Sequence, residues 1–114
     1  MSDGELSHPH IRLVEILQAS YYVVNSEVDF GPFKVDIYLP EHHLAIEVDG
    51  PHHGPKRDAK RDDYLREEFF LPTLRIKTDA VDAALEIIDD WVEEKYVDQA
   101  ERFLNFRARL MRSL

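Results

Sequence analysis

Apolar and polar positions alternate over Phe33–Leu39, where Phe33, Val35, Ile37 and Leu39 interleave with Lys34, Asp36 and Tyr38. That two-residue period predicts a strand with one face on a core. Leu44–Asp49 alternates in turn, with Leu44, Ile46 and Val48 on the core side and Ala45, Glu47 and Asp49 on the other. Between the two, Pro40-Glu41-His42-His43 predicts a turn. Thr73–Lys77 alternates once more, with Leu74 and Ile76 inward. Upstream, Tyr21 to Val24 and Glu27 to Phe30 are β-branched and aromatic, which predicts a first strand ending near Gly31-Pro32.

Helical periodicity fills the rest. Ser7-His8-Pro9 predicts a capped start for a helix from about His8 to Ala19 carrying Ile11, Leu13, Val14, Ile16 and Leu17. Lys56 to Leu71 predicts a charged helix with Ala59, Tyr64, Leu65 and Phe69 inward, stopped by Pro72. Val81, Ala84, Leu85, Ile88, Trp91 and Val92 form an apolar helical stripe, and a last helix spans about Val97 to Leu114. The predicted order is α-β-β-β-α-β-α-α. It implies an α/β fold with a mixed sheet of about four strands flanked by helices.

A chain of 114 residues fits one domain, 1–114, with its core over about 8–92 and the terminal helix 97–114 outside it. The absence of cysteine excludes disulfide frameworks, thiolate zinc sites, iron–sulfur clusters and cysteine nucleophiles. Met1-Ser2-Asp3-Gly4-Glu5 has neither a basic nor an apolar targeting segment, and no apolar run reaches membrane-spanning length, which predicts a cytoplasmic protein and no membrane partner. A net charge of −9 argues against a passive electrostatic grip on nucleic acid. The acidity is concentrated in residues 1–55 and 79–101, whereas 56–78 and 102–114 are basic.

Strand parity sends Asp36, Glu47 and Asp49 to the face opposite Val35, Ile37, Ile46 and Val48. Three carboxylates converging across one hairpin either raise a pKa or bind a hard divalent cation, Mg2+ or Mn2+. The alternative is a solvated polar face, against which the small apolar Ala45 beside Glu47 argues. His52 and His53 follow in the loop Gly50–Pro55, where an imidazole can accept a proton from water. His42 and His43 read as hairpin-turn surface, and His8 and His10 as helix-start residues. Arg75 and Lys77 on the fourth strand and Arg61 on the charged helix supply cations able to hold a phosphate backbone.

Asp36-x10-Glu47-x-Asp49, followed by Gly50-Pro51-His52-His53, resembles the PD-(D/E)xK nuclease superfamily. The stretches Val35–Pro40 and Leu44–Gly50, then Arg61-Asp62-x-x-Leu65 and Leu74-Arg75-Ile76, look most like the branch of very-short-patch-repair endonuclease-like proteins. The likeness spans roughly Leu13 to Ile88. It implies a restriction-endonuclease-like domain and a metal-dependent deoxyribonuclease using a metal-activated water. Asp36 would be the central ligand, Glu47 or Asp49 the second, and the backbone carbonyl of Val48 would complete the shell. His53, or His52 if the loop is one residue tighter, would match the branch's histidine, and Glu15 the acidic residue of the first helix.

Two departures stand beside the likeness. The superfamily's lysine two residues after the glutamate is Asp49 here, so charge stabilisation falls to metal, His53, Arg61 or Lys77. Without cysteine the zinc site of the namesake repair enzymes cannot form, so mismatch repair is not implied. The expected partner is DNA, with RNA open because nothing in the residues reads the sugar. A second class of reading is a catalytically silent module of the same fold. In it the terminal helix, apolar at Phe103, Leu104, Phe106, Leu110, Met111 and Leu114, docks a second copy or a protein partner.

Overall fold

Phe33–Leu39, Leu44–Asp49 and Thr73–Lys77 are strands over the same residues whose alternation predicts them. The computed structural model describes residues 8–51, 54–94 and 96–112, with the backbone alone at 96–99. Its elements are α1 (His8–Ala19), β1 (Asn25–Phe30), β2 (Phe33–Leu39), β3 (Leu44–Asp49), α2 (Pro55–Phe69), β4 (Thr73–Lys77), a 3-10 turn (Thr78–Ala83), α3 (Ala84–Glu94) and α4 (Tyr96–Arg112). The strands form one sheet in the order β1-β2-β3-β4. Hairpins make β1, β2 and β3 antiparallel, and the α2 crossover makes β4 parallel to β3. The mixed α/β sheet and its element order follow the sequence-based expectation. No described helix is long and apolar enough to cross a membrane.

Two apolar clusters hold helices against the sheet. One joins Leu13 and Leu17 of α1 to Ile37, Leu39, Leu44, Ile46 and Ile76, closed by Val81, Ala84 and Ile88. The other gathers Phe30, Val35, Ala45, Leu65 and Leu71, with Tyr64 and Phe69 of α2 and Phe106 of α4 packed on it. Each fully buried leucine or isoleucine contributes about 1.5–3 kcal/mol. The sheet is thus a middle layer, with α1 and α3 on one face and α2 on the other.

Several expectations change. Tyr21 to Val24 is not strand: Tyr21 turns out of α1 at φ +69 and is exposed, while Tyr22 and Val24 pack on the α1–α3 cluster. Their high strand propensity reflects apolar bulk used for packing. The helix α2 ends before Pro72, at the left-handed Phe70, whose N–H donates to the Arg66 carbonyl while the Leu71 N–H donates to that of Leu65. Ala59 is exposed rather than inward. His43 is buried and not turn surface, and His10, at the start of α1, is buried as well. Val35 belongs to the α2 cluster and not to that of Ile37, so the alternation of β2 breaks at Asp36, opposite the left-handed Glu27.

Candidate active site

The β2–β3 ladder runs Leu39↔Leu44, Tyr38↔Ala45, Ile37↔Ile46 and stops. On the other side of β2 the register passes from Ser26↔Ile37 to Val28↔Val35, leaving Asp36 opposite Glu27, whose φ is +57. Main-chain groups at this gap still need partners, and side chains provide them. The Asp36 N–H donates to Glu47 Oε2 at 3.0 Å, and the Val48 N–H donates to Asp36 Oδ2 at 2.9 Å. Asp36 and Glu47 are therefore fixed side by side where the strands part. Val48 is the backbone link between them.

The helix α2 covers this face, so Glu47 is only 3% exposed. Burial pushes its carboxyl up to about 8, helped by the hydrogen bond and charge of Asp36, against the opposing pull of the Arg61 guanidinium and the Asp36 N–H. Arg61 Nη2 lies against Glu47 Oε1 and also bonds the Lys34 carbonyl, with its guanidinium 5.8 Å from the Phe33 ring centre. Arg61 Nε is buried without a hydrogen bond, whereas Glu47 Oε1 has the Arg61 guanidinium against it.

Asp49 does not join the other two carboxylates. Arg75 Nη1 bonds both its oxygens at 3.1 and 3.0 Å, while Nε and Nη2 grip Asp62 at 3.0 and 2.7 Å. Asp58 lies 3.6 Å from Nη1. Burial opposes the charge on Arg75, yet its bonds to Asp62 and Asp49 prevail and hold its pKa above the ordinary arginine value. All three guanidinium nitrogens of this expected phosphate anchor thus face carboxylates. Among the described residues no three histidine or carboxylate side chains are placed together to hold a metal ion.

Lys77 stands opposite Asp49 in the parallel register and is exposed. With Asp49, Gly50, Pro51, Thr78 and Asp79 it lines an open cavity of about 390 Å³ at the carboxyl ends of β3 and β4, the end where ligands settle in open α/β sheets. His52 and His53 lie outside the described residues. Glu15 is exposed on α1, whose buried Leu13 and Leu17 face the opposite side of the sheet. It makes no bond to Asp36, Glu47 or Asp49 among the described residues.

The role of Asp58 and Asp62 as partners of Arg75 is not among the sequence-based expectations. The signal lies in the spacing: 58, 61, 62, 65 and 69 share one helical face, on which Arg61 and the apolar residues read as inward and the two aspartates do not. The charged half of that stripe covers the charged half of the sheet.

No family model matches the chain, and no curated protein matches it. Among solved structures, the homing endonuclease I-Bth0305I catalytic domain superposes with a TM-score of 0.63 at 21% identity, covering 82% of this chain and 98% of that one. At that identity the likeness concerns the fold.

Proposed function

We propose that the chain is a metal-dependent endonuclease of the very-short-patch-repair-like branch that hydrolyses phosphodiester bonds in DNA. The observation that carries this reading is the Asp36–Glu47 pair, two adjacent carboxylates locked by main-chain bonds at the gap between β2 and β3. The fold shared with a homing endonuclease catalytic domain supports DNA as the substrate.

The residues fit a hard divalent cation. Asp36 and Glu47 set two carboxyl groups side by side, and the charge of Asp36 is among the causes that raise the Glu47 pKa. One or two carboxylates with substrate phosphate are the usual protein share of a Mg2+ site. Such an ion, Mg2+ or Mn2+, would supply positive charge to phosphoryl oxygens and acidify water. Asp36 and Glu47 would hold it, with the Val48 carbonyl beside them. Arg75 keeps Asp49 at the rim, and Lys77 presents its ammonium to a phosphate across the open cavity. His53 or His52 is assigned the proton transfer.

The test is incubation with supercoiled plasmid, single-stranded DNA and RNA, each with Mg2+, Mn2+ or chelator, beside Asp36→Ala of verified fold. Metal-dependent nicking of DNA, lost in the variant, is expected. Silence on every substrate, with no heat of metal binding, overturns the assignment and favours a silent module.

A second reading concerns assembly. On α4, Leu104 and Met111 are 66% and 67% exposed and Leu110 is exposed beside them, more apolar surface than one terminal helix leaves to water without a partner. We infer a homodimer through α4. Light scattering should then give twice 13.4 kDa, and a monomer at high concentration excludes it.

A further inference from the structure

The two arginines that meet the carboxylate face differ in a way their burial does not explain. Their side chains are almost equally covered, 23% exposed for Arg61 and 22% for Arg75. Arg75 is saturated: it forks onto Asp62 and bonds both oxygens of Asp49. That bidentate geometry is how a structural arginine ties elements together. Arg61 meets both Glu47 Oε1 and the Lys34 carbonyl through the single nitrogen Nη2, and its Nε is buried without a hydrogen bond. Its other hold is the face of Phe33.

A buried donor left unmatched costs free energy, and Arg61 carries one at Nε. The pair persists because the alternative is worse: without Arg61, Glu47 and Asp36 would face each other with no cation at all. Arg61 is therefore held by charge rather than by shape. A compact divalent cation between Asp36 and Glu47 satisfies the same oxygens with more charge and removes the reason for Arg61 to stay. Released from Glu47, a guanidinium on the sheet-facing side of α2 still lies beside the site, where a substrate phosphate is its natural partner.

We propose that Arg61 is the resident counter-cation of the Asp36–Glu47 pair: it balances the charge the pair carries until a divalent ion enters, then leaves Glu47 and takes a phosphate of the DNA. The inference rests on the nuclease reading and deepens it, since it makes metal loading and phosphate binding two positions of one side chain. Arg61 acts here as a positioning residue.

Mn2+ binding in the absence of DNA tests this, followed by the paramagnetic signal of free Mn2+ for wild type, Arg61→Gln and Asp36→Asn. With the competing cation removed, Arg61→Gln should bind Mn2+ tighter by on the order of tenfold, well within what one charge at contact distance is worth near a protein surface. Asp36→Asn should lose binding. Unchanged or weaker binding by Arg61→Gln, with Asp36→Asn defective, makes Arg61 a structural partner and overturns the proposal while the nuclease reading stands. No binding by wild type overturns both. Should Arg61→Gln fail to fold, the wild-type chain still decides by NMR. The Arg61 Nε–H signal, assigned by its loss in Arg61→Lys, should move on Mg2+ addition while that of Arg75 stays. A stationary Arg61 signal overturns the proposal.

Discussion

His43 Nε2 donates to the carbonyl of Phe69 at 2.8 Å, so a histidine in the β2–β3 turn caps the last turn of α2. A carbonyl only accepts, so the proton sits on Nε2 and Nδ1 is left to accept the Tyr38 hydroxyl at 2.8 Å. One neutral tautomer is thereby selected. Phe106 of α4 stacks on the imidazole, ring centres 4.5 Å apart and planes inclined by 27°. His43, fully buried at φ +47, thus joins the hairpin, α2 and α4.

This contact predicts a pH dependence of stability. Burial holds the His43 pKa below its ordinary 6.5, with the nearby Arg102 charge acting in the same direction and the Phe69 bond opposing. As pH falls through 6.5 the unfolded chain takes up a proton that the folded chain refuses. The unfolded state then binds more protons, and stability drops with falling pH down to the lowered folded value. Above 6.5 the contribution is fully present. Urea unfolding of His43→Asn at pH 7.5 and pH 5.5 should show a smaller loss on acidification than wild type shows. Equal losses would mean that His43 is protonated in the fold.

Gly31 opens the two-residue loop of the β1–β2 hairpin at φ +60, the conformation that hairpins of this length ask of their first loop residue. A Cβ there would also lie 2.8 Å from the Tyr64 hydroxyl of α2. Gly31→Ala should therefore cost about 1–3 kcal/mol in chemical denaturation, from strain at positive φ and from displacement of Tyr64. A neutral substitution would show that the turn relaxes without loss.

Sequence periodicity reads an element well where one face is apolar and the other polar, which is why β2, β3, β4 and α1 are legible to the residue. It misleads where burial is polar. Asp58 and Asp62 count as solvent face by composition, yet they turn onto Arg75 of the sheet. His43 reads as turn surface because the aromatic that buries it, Phe106, is 63 residues away in sequence. Asp36 and Glu47 were legible as neighbours across the predicted hairpin, although the strict alternation around Asp36 is broken, with Val35 and Ile37 in different clusters. The capture of Asp49 by Arg75 was not, because it depends on the parallel register Glu47↔Arg75 and Asp49↔Lys77 that the α2 crossover creates.

Arg75 compensates three carboxylates from two other elements, so its removal should be felt by the whole fold. Arg75→Met leaves Asp49, Asp58 and Asp62 close together without their shared cation. Unfolding should show a loss of about 3–5 kcal/mol, the usual range for breaking a buried pair. Arg75→Lys should recover only part of it, since an ammonium cannot bond Asp62 with two parallel donors and reach Asp49 as well. Full rescue by lysine would reduce the network to plain charge balance.

Asp36→Asn separates folding from function at the candidate site. The asparagine oxygen can still accept the Val48 N–H that closes the gap between β2 and β3, so the main-chain bond survives. Replacing one of two neighbouring carboxylates also removes the charge that works against Glu47. The variant should therefore match or exceed wild type in denaturant resistance, whereas Asp36→Ala, which leaves that N–H unpaired, should lose about 1–3 kcal/mol. Cleavage should move the other way. Metal affinity commonly falls 10–100-fold when an outer partner of a ligand is removed, so loss of the carboxylate ligand itself should reduce plasmid nicking by more than about 100-fold in both variants. Mg2+ should raise the melting temperature of wild type and leave that of Asp36→Asn unchanged, by the linkage between binding and folding. A carboxylate pair serving only to pin the hairpin predicts the reverse for Asp36→Asn: unaltered nicking and no difference in the response to Mg2+.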